Sequence, residues 1–235
     1  MIAQRSFNLM PTVVKNLLII NGLFFLGMIS IRSTFGIDIT DWLGLYFPAS
    51  SEFLPVQLVT HMFMHGGISH LFFNMFALYM FGGQLERLWG GQRFLNYYII
   101  CGLGGFFLHE FVLGVELYNA YGSFFPVFEQ PLSVSDDRWV MSMDMQFGRV
   151  VGASGAVFGI LLAFGMLFPD TRLMLLFPPI PIKAKYFVIG YGVLELSLAL
   201  DNASGDNVAH FAHLGGMLFG YLLLKRWQKD RGTFY

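Results

Sequence analysis

Residues 149–168 read Arg-Val-Val-Gly-Ala-Ser-Gly-Ala-Val-Phe-Gly-Ile-Leu-Leu-Ala-Phe-Gly-Met-Leu-Phe, an apolar run that opens at a basic residue and holds one hydroxyl, Ser154. A helix from Ser154 to Phe168, rising about 1.5 Å per residue, is roughly 22 Å long, whereas the hydrocarbon core of a bilayer is roughly 30 Å thick. If lipid is its solvent, the helix begins below one membrane surface and is reached by non-helical backbone descending from Arg149. Such backbone persists at depth only where it lines a water-filled cavity or is buried in protein. Ser154 then falls in the first turn, where unpaired amides point outward and the helix dipole favours negative charge. That position suits a nucleophile with a backbone oxyanion donor. The neighbouring Gly152 and Gly155 allow a tight turn and the close approach of a substrate carbonyl. By itself Gly-Ala-Ser-Gly reads first as a small-residue packing patch, and with Ala156 in the fifth position it is not the Gly-x-Ser-x-Gly elbow of soluble hydrolases.

Composition supplies the lipid. Of 235 residues, 55% are hydrophobic and 12% charged, with a mean hydropathy of +0.59. A soluble domain has about a quarter of its residues charged, so this chain has too few charges to cover a water-facing globule. A single multi-pass membrane domain over residues 1–235 is expected. The net charge is −1 with no basic block, which speaks against a nucleic-acid partner. The 27 phenylalanines exclude disorder, and Cys101 alone cannot make an intrachain disulfide. Leu17 to Ile31 lacks a small-x-small cleavage site and is read as an uncleaved first span.

Apolar stretches predict an all-α bundle of six spans, at 16–31, 67–85, 94–112, 154–168, 186–200 and 208–224. With a cytoplasmic N-terminus, the inner segments carry eleven of the 14 Lys and Arg residues and the outer ones only Arg32, Arg138 and Arg149. That asymmetry predicts both termini in the cytoplasm. Two outer loops are long. The one over 32–60 is rich in aromatics, as in a segment lying in the interface; the other, 113–148, carries several acids and no evident role.

Polar groups inside such spans are expensive and are functional candidates by default. His213 lies in Ala212-His213-Leu-Gly-Gly216-Met-Leu-Phe-Gly220, on a sixth span whose Ala209, Ala212, Gly216 and Gly220 recur at helical spacing. The fourth span offers Gly155 and Gly159 on one face, and two such faces let backbones approach closely. Ser154 and His213 then meet at one depth as an activated nucleophile. His210, one turn above, is read as facing interfacial water. His70 and Asn74 are four apart and share a helix face, able to donate hydrogen bonds to an oxyanion. His61, His65 and His70 pose a metal alternative. The break at Gly66-Gly67 and the lack of a nearby carboxylate weaken it, and structural hydrogen bonding by His61 and His65 is preferred, with no metal and no cofactor expected.

These motifs, in this order on the second, fourth and sixth spans, resemble the rhomboid family of intramembrane serine proteases over about Asn16 to Leu224. The resemblance implies Ser154 as nucleophile, His213 as general base, and His70 and Asn74 with the Ser154 amide as oxyanion hole, Gly152 adding to substrate stabilisation. Gly82, Glu86 and Gly90 match a family spacing in which Glu86 is structural, and Phe158 is placed to pack on the His213 ring. Many members have Trp-Arg in the first outer loop where this chain has Val56-Gln57. The implied partners are transmembrane segments of other proteins within the bilayer, and the location a multi-pass membrane protein, in the plasma membrane if bacterial. No third acid is evident: Asp206 stands about 10 Å along a helix from His213, so a dyad is preferred to a triad, and Glu195, which could face the cavity or tune a gate, is read first as a water-facing structural acid near the outer end. The alternatives are a catalytically inactive rhomboid-like protein that binds membrane clients, which would usually have lost Ser154 or His213, and a metal transporter using the three histidines.

Overall fold

The computed structural model describes residues 10–124, 149–174, 179–201 and 208–231. Each apolar stretch is helical: α1 (Thr12–Phe35), α4 (Ile68–Ala77) continuing into α5 (Gly83–Trp89), α6 (Gly91–Tyr121), α7 (Ser154–Leu167), α8 (Ala184–Asp201) and α9 (His210–Arg231). Short helices α2 (Thr40–Leu43) and α3 (Gln57–Thr60) lie between α1 and α4, and a π-helical turn, Leu78–Gly82, joins α4 to α5. The non-helical pairing among the described residues is slight. Strands β1 (Arg172–Met174) and β2 (Pro181–Lys183) form an antiparallel ribbon with Arg172 opposite Lys183, and Leu45 bridges Val150.

Helices α1 and α6 are long and apolar enough to cross a membrane. The bundle also wears its apolar side chains outward: Leu23, Phe73, Phe107, Ile189 and Leu200 are all exposed, while Asn21, Gln57, Asn74, Glu86 and Glu195 are buried. This arrangement suits lipid as the outer solvent, with polar side chains turned inward. The N-terminus of α1 is held by Glu86, whose carboxylate oxygens accept the Val13 amide at 2.9 Å and the Val14 amide at 2.8 Å. Those amides lack helical partners, which gives Glu86 the structural role expected of it.

Helix α6 corrects one boundary. It runs past the expected end at Val112 to Tyr121, so the first part of the 113–148 loop is helix. Gly114 and Leu117 bury themselves on its inner side, and Gly122, left-handed at φ 74°, ends it by donating its amide to the Tyr118 carbonyl at 2.8 Å. The rest of that loop, 125–148, and Asp206 lie outside the described residues.

The centre is made by α6, α7 and α9, and small residues set their spacing. A Cβ on Gly105 of α6 would stand 2.6 Å from the Ala212 carbonyl oxygen, and one on Gly216 of α9 would overlap the Gly155 carbonyl of α7. The seam of Gly155 and Gly159 against Ala212 and Gly216 is therefore backbone on backbone, as the spacing predicts. Helix α8 is more peripheral, with only Ala184, Val188 and Glu195 buried.

Candidate active site

The segment ahead of α7 is pinned from three directions. Leu45 and Val150 exchange both backbone hydrogen bonds, at 3.0 and 2.8 Å, and the Gly152 amide donates to the His61 carbonyl at 2.9 Å. Arg149 reaches back to α2, donating to Thr40 Oγ1 at 2.9 Å and pairing with Asp38 at 3.1 Å and Asp41 at 2.6 Å. Partial burial pushes the Asp38 carboxyl upward, but the Thr40 hydrogen bonds and the charges of Arg149 and Arg32 outweigh it and hold the group below its ordinary value. The chain thus reaches Ser154 by a non-helical path, and Ser154 is the first residue of α7. Between α1 and α4, the departure at Gln57 has its own solution. Its buried side chain donates to the Trp42 and Glu52 carbonyls at 3.1 and 2.9 Å and accepts the Leu54 amide at 3.1 Å.

His70 and Ser154 meet across Gly152. With φ at 126°, Gly152 turns its bare α-carbon between them: a Cβ there would stand 2.7 Å from His70 Nε2 and 3.7 Å from Ser154 Oγ. The Gly66 amide lies 3.4 Å from His70 Nδ1 and donates to it, leaving the ring proton on Nε2, the nitrogen that faces Gly152. Asn74 is buried one turn on, one amide hydrogen given to the His70 carbonyl at 3.0 Å and a second still to give. Gly152 gives its own N–H to the His61 carbonyl, so its contribution is the room its missing side chain leaves.

His213 lies flat on Phe158, the residue one turn after Ser154, with ring centroids 4.2 Å apart and planes 6° from parallel. Its Nδ1 donates to Glu195 Oε2 at 2.8 Å, which leaves Nε2 as the nitrogen with a lone pair. Among the described residues no hydrogen bond joins Ser154 Oγ to this ring.

Glu195 and His210 depart from their expected surroundings. Both are buried, at 7% and 8% exposure, and His210 Nδ1 donates to the same Glu195 oxygen at 2.6 Å. A carboxylate inside an apolar bundle must find donors, and two histidines three residues apart on α9 present theirs to α8. Glu195, expected to face water, is therefore an inward-facing acid bonded by both histidines. On the other side of Gly152, His61 has the structural role expected of it. Its Nδ1 donates to the Gln57 carbonyl at 2.7 Å, and burial lowers its pKa to about 4. Burial, with His70 close by, likewise lowers the His65 pKa to about 4. The expected hydrogen bond of His65 is not seen: its ring packs edge-on to His70 at 5.1 Å, and neither ring nitrogen has a partner among the described residues.

Fold and cluster together define a helical membrane domain with polar chemistry gathered at the head of one short helix. The Rhomboid domain model matches residues 54–226, and the chain belongs to the rhomboid family. It is 31% identical over 182 residues to "RHOMBOID-like protein 12, mitochondrial" of Arabidopsis thaliana, covering 75% of this chain and 48% of that protein. "Rhomboid protease AarA" of Providencia stuartii is 29% identical over 169 residues, covering 69% and 52%. "Rhomboid protein 1, mitochondrial" of Saccharomyces cerevisiae is 26% identical over 178 residues, covering 75% and 44%. The chain spans about half the length of these relatives.

Proposed function

We propose that this chain is an intramembrane serine endopeptidase, a six-span protein with both termini in the cytoplasm, which cleaves transmembrane segments of other membrane proteins. The observation that carries the reading is His213, hydrogen-bonded through Nδ1 to buried Glu195 and stacked on Phe158, which itself stands one helical turn of α7 from Ser154. Family membership and the similarity to a protein named as a protease support it.

In this reading Ser154 Oγ attacks the scissile carbonyl while His213 Nε2 takes its proton and later passes it to the leaving amine. Glu195 keeps the Nδ1 proton in place and stabilises the imidazolium that forms. The His70 Nε2–H, the free Asn74 amide hydrogen and the Ser154 N–H converge on the oxyanion. Water then hydrolyses the acyl-enzyme. Cleavage of a single-span substrate in liposomes by wild type, Ser154→Ala and His213→Ala tests it. Loss in both variants, with fluorophosphonate labelling of Ser154 in the wild type, is expected; undiminished cleavage by Ser154→Ala overturns it.

A further inference from the structure

The hydrogen-bonded knot of Glu195, His210 and His213 has the make-up of a metal site. One ligand atom from each residue lies within 4.8 Å of the other two, and all three residues are buried. Two imidazoles and one carboxylate, with a further position left open, form a ligand set used for zinc, and imidazole selects zinc, copper or nickel over magnesium or calcium. The layout matches metal sites of helical bundles, with ligands three apart on one helix and a carboxylate facing them from the next. Drawing the three atoms to about 2 Å from one ion takes shifts of less than about 1 Å. Charge favours it as well: the buried Glu195 carboxylate now meets only two N–H dipoles, and a divalent cation there would oppose its negative charge while the two imidazole nitrogens supply lone pairs.

We propose that Glu195, His210 and His213 bind a zinc-class divalent cation and that its binding switches off the Ser154 site. The inference rests on the proposed protease reading only for its consequence, not for the binding itself. On binding, the two Nδ1–H···Oε2 hydrogen bonds break and three dative bonds form, from His210 Nδ1, His213 Nδ1 and a Glu195 carboxylate oxygen. A ring that enters neutral moves its proton from Nδ1 to Nε2, and a ring that enters charged releases its Nδ1 proton to solvent and keeps the one on Nε2. His213 Nε2 then carries a hydrogen and cannot accept one from Ser154. The ion is thus an inhibitor of the site and takes no part in the chemistry.

Cobalt(II) serves as the spectroscopic probe and zinc(II) as the inhibitor, with the full chain purified in detergent after chelator treatment. Cobalt titration of the Ser154→Ala protein should give the visible absorption of a low-coordinate site, saturating at one equivalent. His210→Asn keeps an N–H near the place of Nδ1, and so the hydrogen bond to Glu195, but removes the ligand lone pair; it should abolish that absorption. In the wild type, buffered zinc should lower cleavage at least tenfold, reversibly on chelation. In His210→Asn, measured against its own zinc-free rate, half-inhibition should need at least tenfold more free zinc. Absence of the cobalt band, or a band undiminished in His210→Asn, overturns the site. Zinc inhibition of equal potency in both proteins overturns the switch. The cobalt arm needs no proteolysis, so a chain that binds cobalt but cleaves nothing fails the protease reading alone, and a chain that cleaves but binds no cobalt fails this one alone.

Discussion

The bare α-carbon of Gly152 leaves room between the His70 imidazole and the Ser154 hydroxyl, and a methyl group there would stand 2.7 Å from His70 Nε2. The backbone is also left-handed at this point, φ 126°, where an L side chain is strained by about 1–3 kcal/mol. Gly152→Ala must therefore push His70 aside or relax the descending segment. Cleavage is expected to fall at least roughly tenfold, and fluorophosphonate labelling of Ser154 to slow in step. Thermal unfolding in detergent should move by only a few degrees, because the seam between α7 and α9 is untouched. Full activity in this variant would mean that the His70 position is irrelevant to the reaction.

Glu195 holds His213 by a hydrogen bond that gains strength when the ring becomes charged. Hydrogen bonds to charged groups are worth about 1.5–3 kcal/mol, so Glu195→Gln, which keeps the shape and removes the charge, should lower kcat by roughly 10- to 100-fold. KM should stay the same, since the interaction is made with the proposed base and not with substrate. A variant with unchanged kcat and reduced melting temperature would leave Glu195 a purely structural acid.

Glu86 is expected to behave in the opposite way. Its carboxylate takes two amides at the head of α1, far in sequence from Ser154. Glu86→Gln leaves one amide a neutral carbonyl acceptor and sets the other against an NH2 donor, and should cost about 1–3 kcal/mol of stability. Unfolding in mixed detergent micelles measures the loss; turnover per folded molecule should not change.

The legible features of this sequence are the periodic ones. Phe158 sits one turn from Ser154 because helices repeat every 3.6 residues, and the stacking on His213 follows once Gly155, Gly159, Ala212 and Gly216 bring their helices together. Glu195 is not legible in this way. A lone acid in an apolar span has the same sequence whether it turns to water or inward, and its partners are 15 and 18 residues away on another helix. Only the packing of α8 against α9 fixes its rotation. The loop features share that difficulty: the Gln57 bonds to Trp42 and Glu52, and the Gly152 amide lost to His61, depend on paths through space that carry no repeat. The extra length of α6 is hidden for a simpler reason, since Glu116 reads as the sign of a loop while the apolar residues around it continue the helix.

Asp38 makes the descending segment sensitive to acid in a defined direction. It accepts the Thr40 amide at 3.0 Å and hydroxyl at 2.6 Å and pairs with Arg149, which leads directly into Val150 and the Ser154 turn. Its carboxyl is held below the ordinary value in the folded protein: burial opposes this, and the Thr40 hydrogen bonds and the arginine charges prevail. A carboxylate whose pKa falls on folding stabilises the fold above its unfolded pKa, about 3.9, and loses that contribution as pH drops through the lower folded value. Wild type should therefore exceed Asp38→Asn in melting temperature by a constant margin from about pH 5 to about pH 8, and the margin should close only below about pH 4. Melting curves of the two proteins in the same detergent, across that range, measure it. A margin already closing near pH 6 would assign the effect to a histidine, and one that survives undiminished well below pH 3 would show that the Asp38 charge contributes nothing to the clamp.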